Sequence, residues 1–405
     1  MAVVIPCFNE PDLISSLESL KACDSTKCDV EIIVVINSGI EHDEAIKIKN
    51  QVTFEISQKW AEKNSTDKLK FHFIHIDNLP QKHAGVGLAR KIGMDEAVSR
   101  FDFLKKDGVI VCYDADSLCD KNFLVAIENH FFQNPKTPGC SIYFEHPVSG
   151  NEFGFKMYDG IINYELHLRY YVLSLRFCEL PFAFHTIGSS MAVRSSFYQK
   201  QGGMNKRKAG EDFYFLHKII ELGNFTELKT TRVIPSPRVS DRVPFGTGRA
   251  MGEWMGSEKE GFATYNFKSF QVIRNFVKKI PDLYEMNLDE IQLTDQSVNI
   301  HLINFLKAEK FESALTEIRK NSPNRDAFIK RFFVWFDAFR VLKLVHYLRD
   351  NAFDNSVVSD EVNEFLKASG DAFKSDEASA LLLHLRNIEK RELTLERNKL
   401  NPIRI

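Results

Sequence analysis

The sequence predicts an α/β fold built on a mostly parallel sheet, followed by a helical C-terminal region. Two observations support this. Strand patterns alternate with helical patterns over the first 120 or so residues, and beyond about residue 260 amphipathic helical patterns predominate. Strands that alternate with helices form parallel sheets through right-handed crossovers. In such sheets a ligand binds beyond the carboxyl ends of the strands, so those ends are where we look for function.

Four apolar runs predict the first four strands, and the patterns between them predict helices. The strands are expected at residues 2–8, 29–37, 70–77 and 107–116. The helices are expected at residues 12–21, 41–63 and 85–101. In the first helix Leu13, Leu17 and Leu20 share one face, which is the spacing of a helix that packs on a core.

Later segments add a strand at 187–194 and a helix that opens at Asp212. Residues 235–256 are rich in Gly and Pro and predict a loop, which is either a lid or an interdomain linker. Three amphipathic stretches then predict long helices, at 297–320, 327–350 and 376–400. We therefore expect two domains, an α/β domain over 1–255 and a helical domain or extension over 256–405.

Composition excludes several classes of protein. The chain has 405 residues and a formal net charge of −2, so no basic field indicates nucleic acid as a partner. Seven cysteines without a Cys-x-x-Cys spacing give no zinc or disulfide framework.

The sequence predicts a cytoplasmic protein without a transmembrane segment. Its longest apolar stretch, 170–184, is interrupted by Arg176, Glu179 and Pro181, and Met1 leads directly into a strand without a signal peptide. The aromatic and basic stretch at 327–350 either packs inside the helical domain or lies on the inner face of a membrane as a peripheral contact.

Polar side chains follow all four predicted strands. The segments are "PCFNE" after the first strand, "NSG" after the second, "HIDN" after the third and "DADS" after the fourth. Polar turns are ordinary at the end of a single strand. Four of them at one edge of a parallel sheet favour a binding site.

Asp114 and Asp116 stand one residue apart after the fourth strand. Carboxylates in this spacing can point to the same side of an extended chain and share a hard divalent cation, Mg²⁺ or Mn²⁺. Asp120, a few residues later, is explained by a helix N-cap in front of "KNFLVAI".

Four segments in order, "VVIPCFNE", "HAGVGLARKIGMDEA", "DADS" and "GED" (Gly210–Asp212), resemble those of family 2 glycosyltransferases, which have the GT-A fold and use nucleotide-sugar donors. The resemblance covers roughly the first 250 residues. It implies a Rossmann-like, mostly parallel sheet flanked by helices, and it says little about the helical remainder.

The resemblance also implies roles for individual residues. Asp212 corresponds to the general base, and Asp116 to the direct metal ligand with Asp114 beside it. Asn37 stands where the family often has an aspartate that reads the base of the nucleotide. The expected acceptor contacts are Gly188, Ser189 and Glu211. The expected donor contacts are Pro6, Asn9, Glu10, Asn37, Gly85, Arg90, Asp114 and Arg242. The segment 235–256 contains three arginines, Arg238, Arg242 and Arg249, and of these Arg242 is the expected contact.

We therefore expect an inverting transferase that moves a sugar from a nucleoside-diphosphate sugar, with UDP favoured, to an acceptor hydroxyl. The acceptor would be a glycan, a lipid-linked molecule or a small molecule, in polysaccharide or glycoconjugate synthesis. One alternative is a retaining transferase or a nucleotidyltransferase on a similar sheet. The other is a catalytically silent protein that binds nucleotide sugars or serves as a scaffold.

Overall fold

The structure is a computed structural model of the chain. The residues it describes are 1–208, 210–240, 246–257, 261–287 and 296–396, with the backbone alone at 296–299 and 392–396. The chain divides into two compact units, residues 1–161 with 184–256 and residues 162–183 with 257–405. Residues 162–183 thus group with the second unit, although they fall within the range predicted for the first domain.

The first unit is built on one eight-stranded sheet. Its strands are β1 (Ala2–Cys7), β2 (Val30–Gly39), β3 (Leu69–Leu79), β4 (Val109–Cys112), β5 (Leu118–Cys119), β6 (Gly139–Phe144), β7 (Met191–Arg194) and β8 (Thr226–Ile234). Their order is β3-β2-β1-β4-β7-β6-β8-β5. Strands β3, β2, β1 and β4 are mutually parallel, as are β6 and β8, whereas β7 runs antiparallel to both β4 and β6.

Helices flank this sheet. They are α1 (Leu13–Lys21), α2 (Glu44–Asn64), α3 (Val86–Phe103), α4 (Phe123–Gln133), α5 (Phe155–Phe177), α6 (Ser195–Lys200), α7 (Glu211–Ile220) and α8 (Thr247–Met255). Helix α5 begins in the first unit, and its residues from 162 onward belong to the second. The predicted architecture, a mostly parallel sheet flanked by helices with a helical C-terminal region, is confirmed.

The burial of the central strands explains why their sequences predict strands. Val3, Val4 and Ile5 of β1 are fully buried, and so is the run 32–36 of β2. Parallel strands are covered on both faces, so their sequences are continuous apolar runs rather than alternating ones.

Two local predictions are wrong. The predicted loop at 235–256 contains helix α8, because Met251 is fully buried and its burial outweighs the low helix propensity of the glycines. Asp120 is not the N-cap of α4: Asn122 is, and the Asp120 carboxylate accepts a hydrogen bond from Arg232 Nε at 3.0 Å.

The second unit is largely helical among the described residues. Its helices are α9 (Phe267–Lys279), a 3₁₀ helix (Ile280–Tyr284), α10 (Gln296–Ala308), α11 (Phe311–Lys320), α12 (Arg325–Trp335), α13 (Ala338–Asn351), α14 (Val358–Ala368) and α15 (Ala378–Glu396). Two short strands, β9 (Ala263–Thr264) and β10 (Ser356–Val357), pair antiparallel.

Two of the long predicted helices are each divided in two. The first break follows α10, where Lys310 adopts a left-handed conformation with φ of 57°. The second precedes α13, where Asp337 caps a new helix by accepting a hydrogen bond from the Arg340 backbone N–H at 2.7 Å. Both signals are local turns that apolar periodicity does not reveal.

The aromatic residues of the stretch 327–350 are part of the core of the second unit. Phe328, Phe332 and Phe336 are fully buried and lie within 6.0 Å of one another along the pairs Phe328–Phe332 and Phe332–Phe336, measured between ring centroids. None of the helices in the described part of the chain is long and apolar enough to cross a bilayer.

A buried ion network joins α5 to α15 within the second unit. Glu165 accepts hydrogen bonds from Arg169 Nε at 2.8 Å and from Arg386 Nε at 2.7 Å, and Arg169 also pairs with Glu389. The side chains of these four residues are at most 7% exposed. Because each buried charge has an opposite partner, the network fixes the position of α15 on α5 at little net gain in stability.

The packing of α3 on β1 leads to a test of the fold. A Cβ atom at Gly93 would lie 2.4 Å from Val4 Cγ1, so Gly93→Val should lower the free energy of unfolding by about 1–3 kcal/mol through overpacking. A Cβ at Gly154 has no atom within 4 Å, so Gly154→Val is the matched control and should change it little. Urea denaturation measures both, and equal stability of the two variants would contradict the packing.

Candidate active site

The parallel strands β1, β2 and β4 bring three predicted polar segments to one edge of the sheet. Asn9 and Glu10 follow β1, Asn37 is the third residue from the end of β2, and Asp114 follows β4 by two residues. Asn37 and Glu10 are each 2% exposed. The carboxyl ends of neighbouring parallel strands meet at the same edge, which is where ligands bind in sheets of this kind.

Asn50 of α2 ties two of these strand ends together. Its Oδ1 accepts a hydrogen bond from the Asn9 backbone N–H at 2.9 Å, and its Nδ2 donates to the Asn37 backbone oxygen at 3.0 Å. Asn9 needs this support because it has φ of 49°, in the left-handed region that asparagine tolerates better than most residues. Sequence reasoning missed Asn50, because one Asn on a mostly polar helix gives no signal in the sequence and its complete burial is visible only in the structure.

Arg90 forms the centre of a charged group that we call the Arg90 cluster, comprising Arg90, Asp114, Glu211 and Asp212. The Arg90 side chain is 2% exposed, donates from Nη2 to Asp114 Oδ1 at 2.8 Å, and pairs through Nη1 with Glu211. Burial disfavours the charge and lowers the pKa of Arg90, but the carboxylates of Glu211 and Asp114 outweigh it, so the net pKa is raised. Arg90 is therefore a permanent cation.

Two glycines make room for this cluster. A Cβ at Gly188 would lie 2.7 Å from Arg90 Nη1, so the guanidinium occupies the space that a side chain would take. A Cβ at Gly87 would lie 2.1 Å from the Arg207 backbone oxygen and 3.1 Å from Glu211 Cβ. The chain can thus bring β7's leading segment and α7's first turn against α3 only because these positions lack side chains.

Glu211 and Asp212 open α7 but differ in their access to solvent. Glu211 is 3% exposed and faces Arg90, whereas Asp212 is half-buried, and its Oδ1 accepts a hydrogen bond from the Phe213 backbone N–H at 2.8 Å. The predicted position of Asp212 at a helix N-terminus is confirmed. Of the two adjacent acidic residues, Asp212 is the more exposed.

Burial changes the proton affinity of both acids. It raises the pKa of Glu211 to about 7, against the lowering effect of Arg90. It also raises the pKa of Asp212, with Asp114 adding negative charge, while Arg90 and the backbone N–H groups of Phe213 and Gly188 oppose the rise. Asp212 therefore holds a proton more tightly than an exposed aspartate does.

A second arginine forms what we call the Arg238 cluster, comprising Arg238, Glu10 and Asp116. Arg238 Nη1 donates to Glu10 Oε1 at 2.8 Å, and Nη2 also pairs with Glu10. Arg238 Nε donates to Asp116 Oδ2 at 3.1 Å. The sequence singled out Arg242 from this part of the chain, but Arg242 lies outside the described residues, and Arg238 is the arginine seen at the strand ends.

Asp114 and Asp116 thus bond to different arginines, Asp114 to Arg90 and Asp116 to Arg238. No group of three or more His, Cys, Asp or Glu side chains that could hold a metal ion occurs among the described residues. The two carboxylates are 38% and 29% exposed, respectively. Their hard oxygens still suit Mg²⁺ or Mn²⁺, which commonly take one or two carboxylates and complete the shell with water and substrate phosphates.

The remaining predicted site residues lie around the same edge. Pro6 is in β1 opposite Val35 of β2, and Ser189 is 3% exposed in the segment before β7. Gly85 is the residue before α3, where an added Cβ would lie 3.1 Å from the Lys208 Cα. These positions are compatible with ligand contacts, and their assigned roles stay predictions.

Comparison with protein families identifies the first unit. A model of glycosyl transferase family 2 matches residues 2–200. Residues 2–200 belong to this family. The match includes the strand-end residues Glu10, Asn37 and Asp114, and it ends before Glu211, Asp212 and Arg238. The matched part of the chain thus belongs to a glycosyltransferase family, as the sequence motifs predicted.

Solved structures add a weaker likeness. A structure of S. aureus TarS 1-349 in complex with UDP-GlcNAc is 14% identical to this chain, with a TM-score of 0.42 and 93% of each chain covered. The same S. aureus protein in complex with UDP is 13% identical, with a TM-score of 0.41 and 93% of each chain covered. At these values the likeness carries no weight for the site. Comparison with curated proteins gave no match.

The Arg90 cluster leads to a stability test. Arg90→Met should lower the free energy of unfolding by about 3–5 kcal/mol, because it leaves the buried carboxylate of Glu211 without its cation. Arg100 on the same helix pairs with Glu31 and Glu96 but is 30% exposed, so Arg100→Met should cost less than about 1 kcal/mol. Urea denaturation compares the two variants, and similar losses would show that Arg90 is not the anchor described above.

Proposed function

We propose that this glycosyltransferase transfers a sugar with inversion from a nucleoside-diphosphate sugar to an acceptor hydroxyl, with Asp212 as the general base. The observation that supports this most is the Arg90 cluster, in which one buried guanidinium links Asp114 at the end of the β4 strand to the first turn of α7. The donor-side carboxylate and the base are then held in one rigid group.

Asp212 has the properties that a base for this reaction needs. An acceptor hydroxyl loses its proton as it attacks the anomeric carbon, and a carboxylate with a raised pKa accepts that proton more readily. Glu211 is a poorer candidate because it is buried against Arg90. We assign Glu211, with Gly188 and Ser189, to the acceptor side of the site, where Glu211 would orient rather than react.

The donor would lie over the ends of β1, β2 and β4. The amide of Asn37 offers both an acceptor and a donor, which suits the N3–H and a neighbouring carbonyl oxygen of uracil. Pro6, Asn9, Glu10 and Gly85 would frame the nucleoside. Arg90 lies near enough to Asp114 to keep that carboxylate oriented, and Arg238 and Arg242 would neutralise the diphosphate.

A divalent ion, Mn²⁺ or Mg²⁺, would be held by Asp116 with Asp114 beside it. When bound, it would stabilise the negative charge that develops on the departing diphosphate. The chain's own residues perform the other tasks. Asp212 takes the proton, and Arg90 holds the carboxylates in place.

The base assignment predicts a large loss of turnover. Asp212→Asn should lower kcat by about 10²–10⁴ while leaving the melting temperature and donor binding nearly unchanged, because only proton transfer is lost. Asp120→Asn is the control, since Asp120 bonds to Arg232 outside both clusters. Full turnover by Asp212→Asn would eliminate this residue as the base.

The raised pKa of Asp212 predicts the pH dependence of the reaction. The base works when deprotonated, so kcat/KM should fall as the pH drops, with a midpoint above the ordinary value of 3.8. A profile measured from pH 4 to pH 8 shows this limb in the wild type. A rate that stays flat down to pH 4 would contradict the buried environment assigned to the carboxylate.

The products distinguish this proposal from its rivals. Nuclear magnetic resonance of the product should show the inverted anomer together with a free nucleoside diphosphate. A retained anomer would favour a retaining transferase, and release of pyrophosphate would favour a nucleotidyltransferase. Donor binding without turnover for any glycan, lipid-linked or small-molecule acceptor would favour a silent binding or scaffold protein.

A further inference from the structure

Arg238 pairs with the carboxylates of Glu10 and Asp116, which we expect the donor and its metal ion to contact. Both its Nη atoms pair with Glu10, a predicted donor contact, and its Nε lies 3.1 Å from Oδ2 of Asp116, the predicted metal ligand. Nη2 is also 2.9 Å from the same Asp116 oxygen. A guanidinium from the chain therefore stands beside the carboxylate oxygens that a divalent ion would use.

The contacts of Arg238 with Glu10 and with Asp116 differ in burial. The Glu10 side chain is fully buried, whereas the Asp116 side chain is 29% exposed and Arg238 itself is 21% exposed. The Glu10 contact is bidentate, which holds the guanidinium in a fixed orientation. The Asp116 contact lies toward solvent, where an ion pair is weak and exchanges readily. Glu10 is thus suited to keep its contact with Arg238 while the contact with Asp116 breaks.

We propose that Arg238 is a positioning residue that serves as the counter-ion of Asp116 before the donor binds and moves to the diphosphate when the donor binds. This inference rests on the proposed function, because it assigns Asp116 to a donor-bound metal. A free metal ion must then displace the Arg238 guanidinium from Asp116, because the two positive charges repel each other when both lie beside this carboxylate. A metal ion that arrives with a nucleoside diphosphate offers Arg238 a new anionic partner.

The consequence is a dependence of metal binding on nucleotide. The wild-type protein should bind Mn²⁺ weakly alone and much more tightly with UDP present. Removing the guanidinium should strengthen the binding of Mn²⁺ alone and weaken the binding of UDP with Mn²⁺. These opposite signs separate a counter-ion that moves from a fixed structural pair, whose removal would weaken both.

The experiment titrates Mn²⁺ into the full chain and follows free Mn²⁺ by electron paramagnetic resonance, with and without UDP. Arg238→Gln should bind Mn²⁺ alone about tenfold or more tightly than the wild type, and adding Asp116→Asn should abolish this gain. Arg238→Lys keeps the charge but lacks the bidentate fork, so it should fall between the two and remains informative if the glutamine variant does not fold.

Arg232→Gln is the matched control. Arg232 also bridges two carboxylates, Asp120 and Glu145, and it lies on β8 a few residues before Arg238. Its loss should leave the binding of Mn²⁺ and UDP unchanged. An equal gain in Mn²⁺ affinity in this control would show that any uncovered carboxylate pair suffices, and it would overturn the role assigned to Arg238.

Two different results distinguish an error in the role of Arg238 from an error in the proposed function. If the wild type binds UDP with Mn²⁺ but removal of the Arg238 guanidinium leaves the affinity for Mn²⁺ alone unchanged or lower, the counter-ion role is wrong and the proposed function stands. If the wild type binds neither UDP nor UDP with Mn²⁺, the proposed donor site is wrong, and the role of Arg238 is overturned with it.

Discussion

The site depends on one buried cation. Arg90 projects from α3 between a carboxylate that follows β4 and a carboxylate that opens α7, and these two carboxylates are far apart in the chain. A charge taken out of water is tolerated only when it is matched, so the helix, the strand end and the first turn of α7 must stay together. The missing side chain at Gly188 is a consequence of the same constraint, because the guanidinium fills its place.

The parallel centre of the sheet sets the positions of everything else. Because β2, β1 and β4 run in the same direction, their polar ends converge on one edge. Charge is then distributed over this edge in two groups, one around Arg90 that includes Asp212, the base we propose, and one around Arg238, where we propose that the diphosphate binds. Each group carries more acidic than basic side chains. These two groups therefore attract cations.

Local pattern predicted most of the fold but not the ion pairs. The continuous apolar runs of β1 and β2 and the heptad-like faces of the helices follow from burial, which acts over a few neighbouring residues. The pairing of Arg238 with Glu10 joins residues 228 positions apart, and no periodicity records it. For the same reason the sequence did not reveal that Asp114 and Asp116 bond to two different arginines. The breaks before α11 and α13 were missed because single turns set them.

The proposed function requires that this edge of the sheet binds a nucleoside-diphosphate sugar. A thermal-shift screen of UDP-, GDP-, CMP- and dTDP-sugars, with and without Mn²⁺, tests it most directly. Because binding to the folded state alone stabilises it by about 2.7 kcal/mol at a hundred times Kd, a UDP-sugar with Mn²⁺ should raise the melting temperature in a concentration-dependent way. No shift with any of the four donors in the presence of Mn²⁺ would contradict the account.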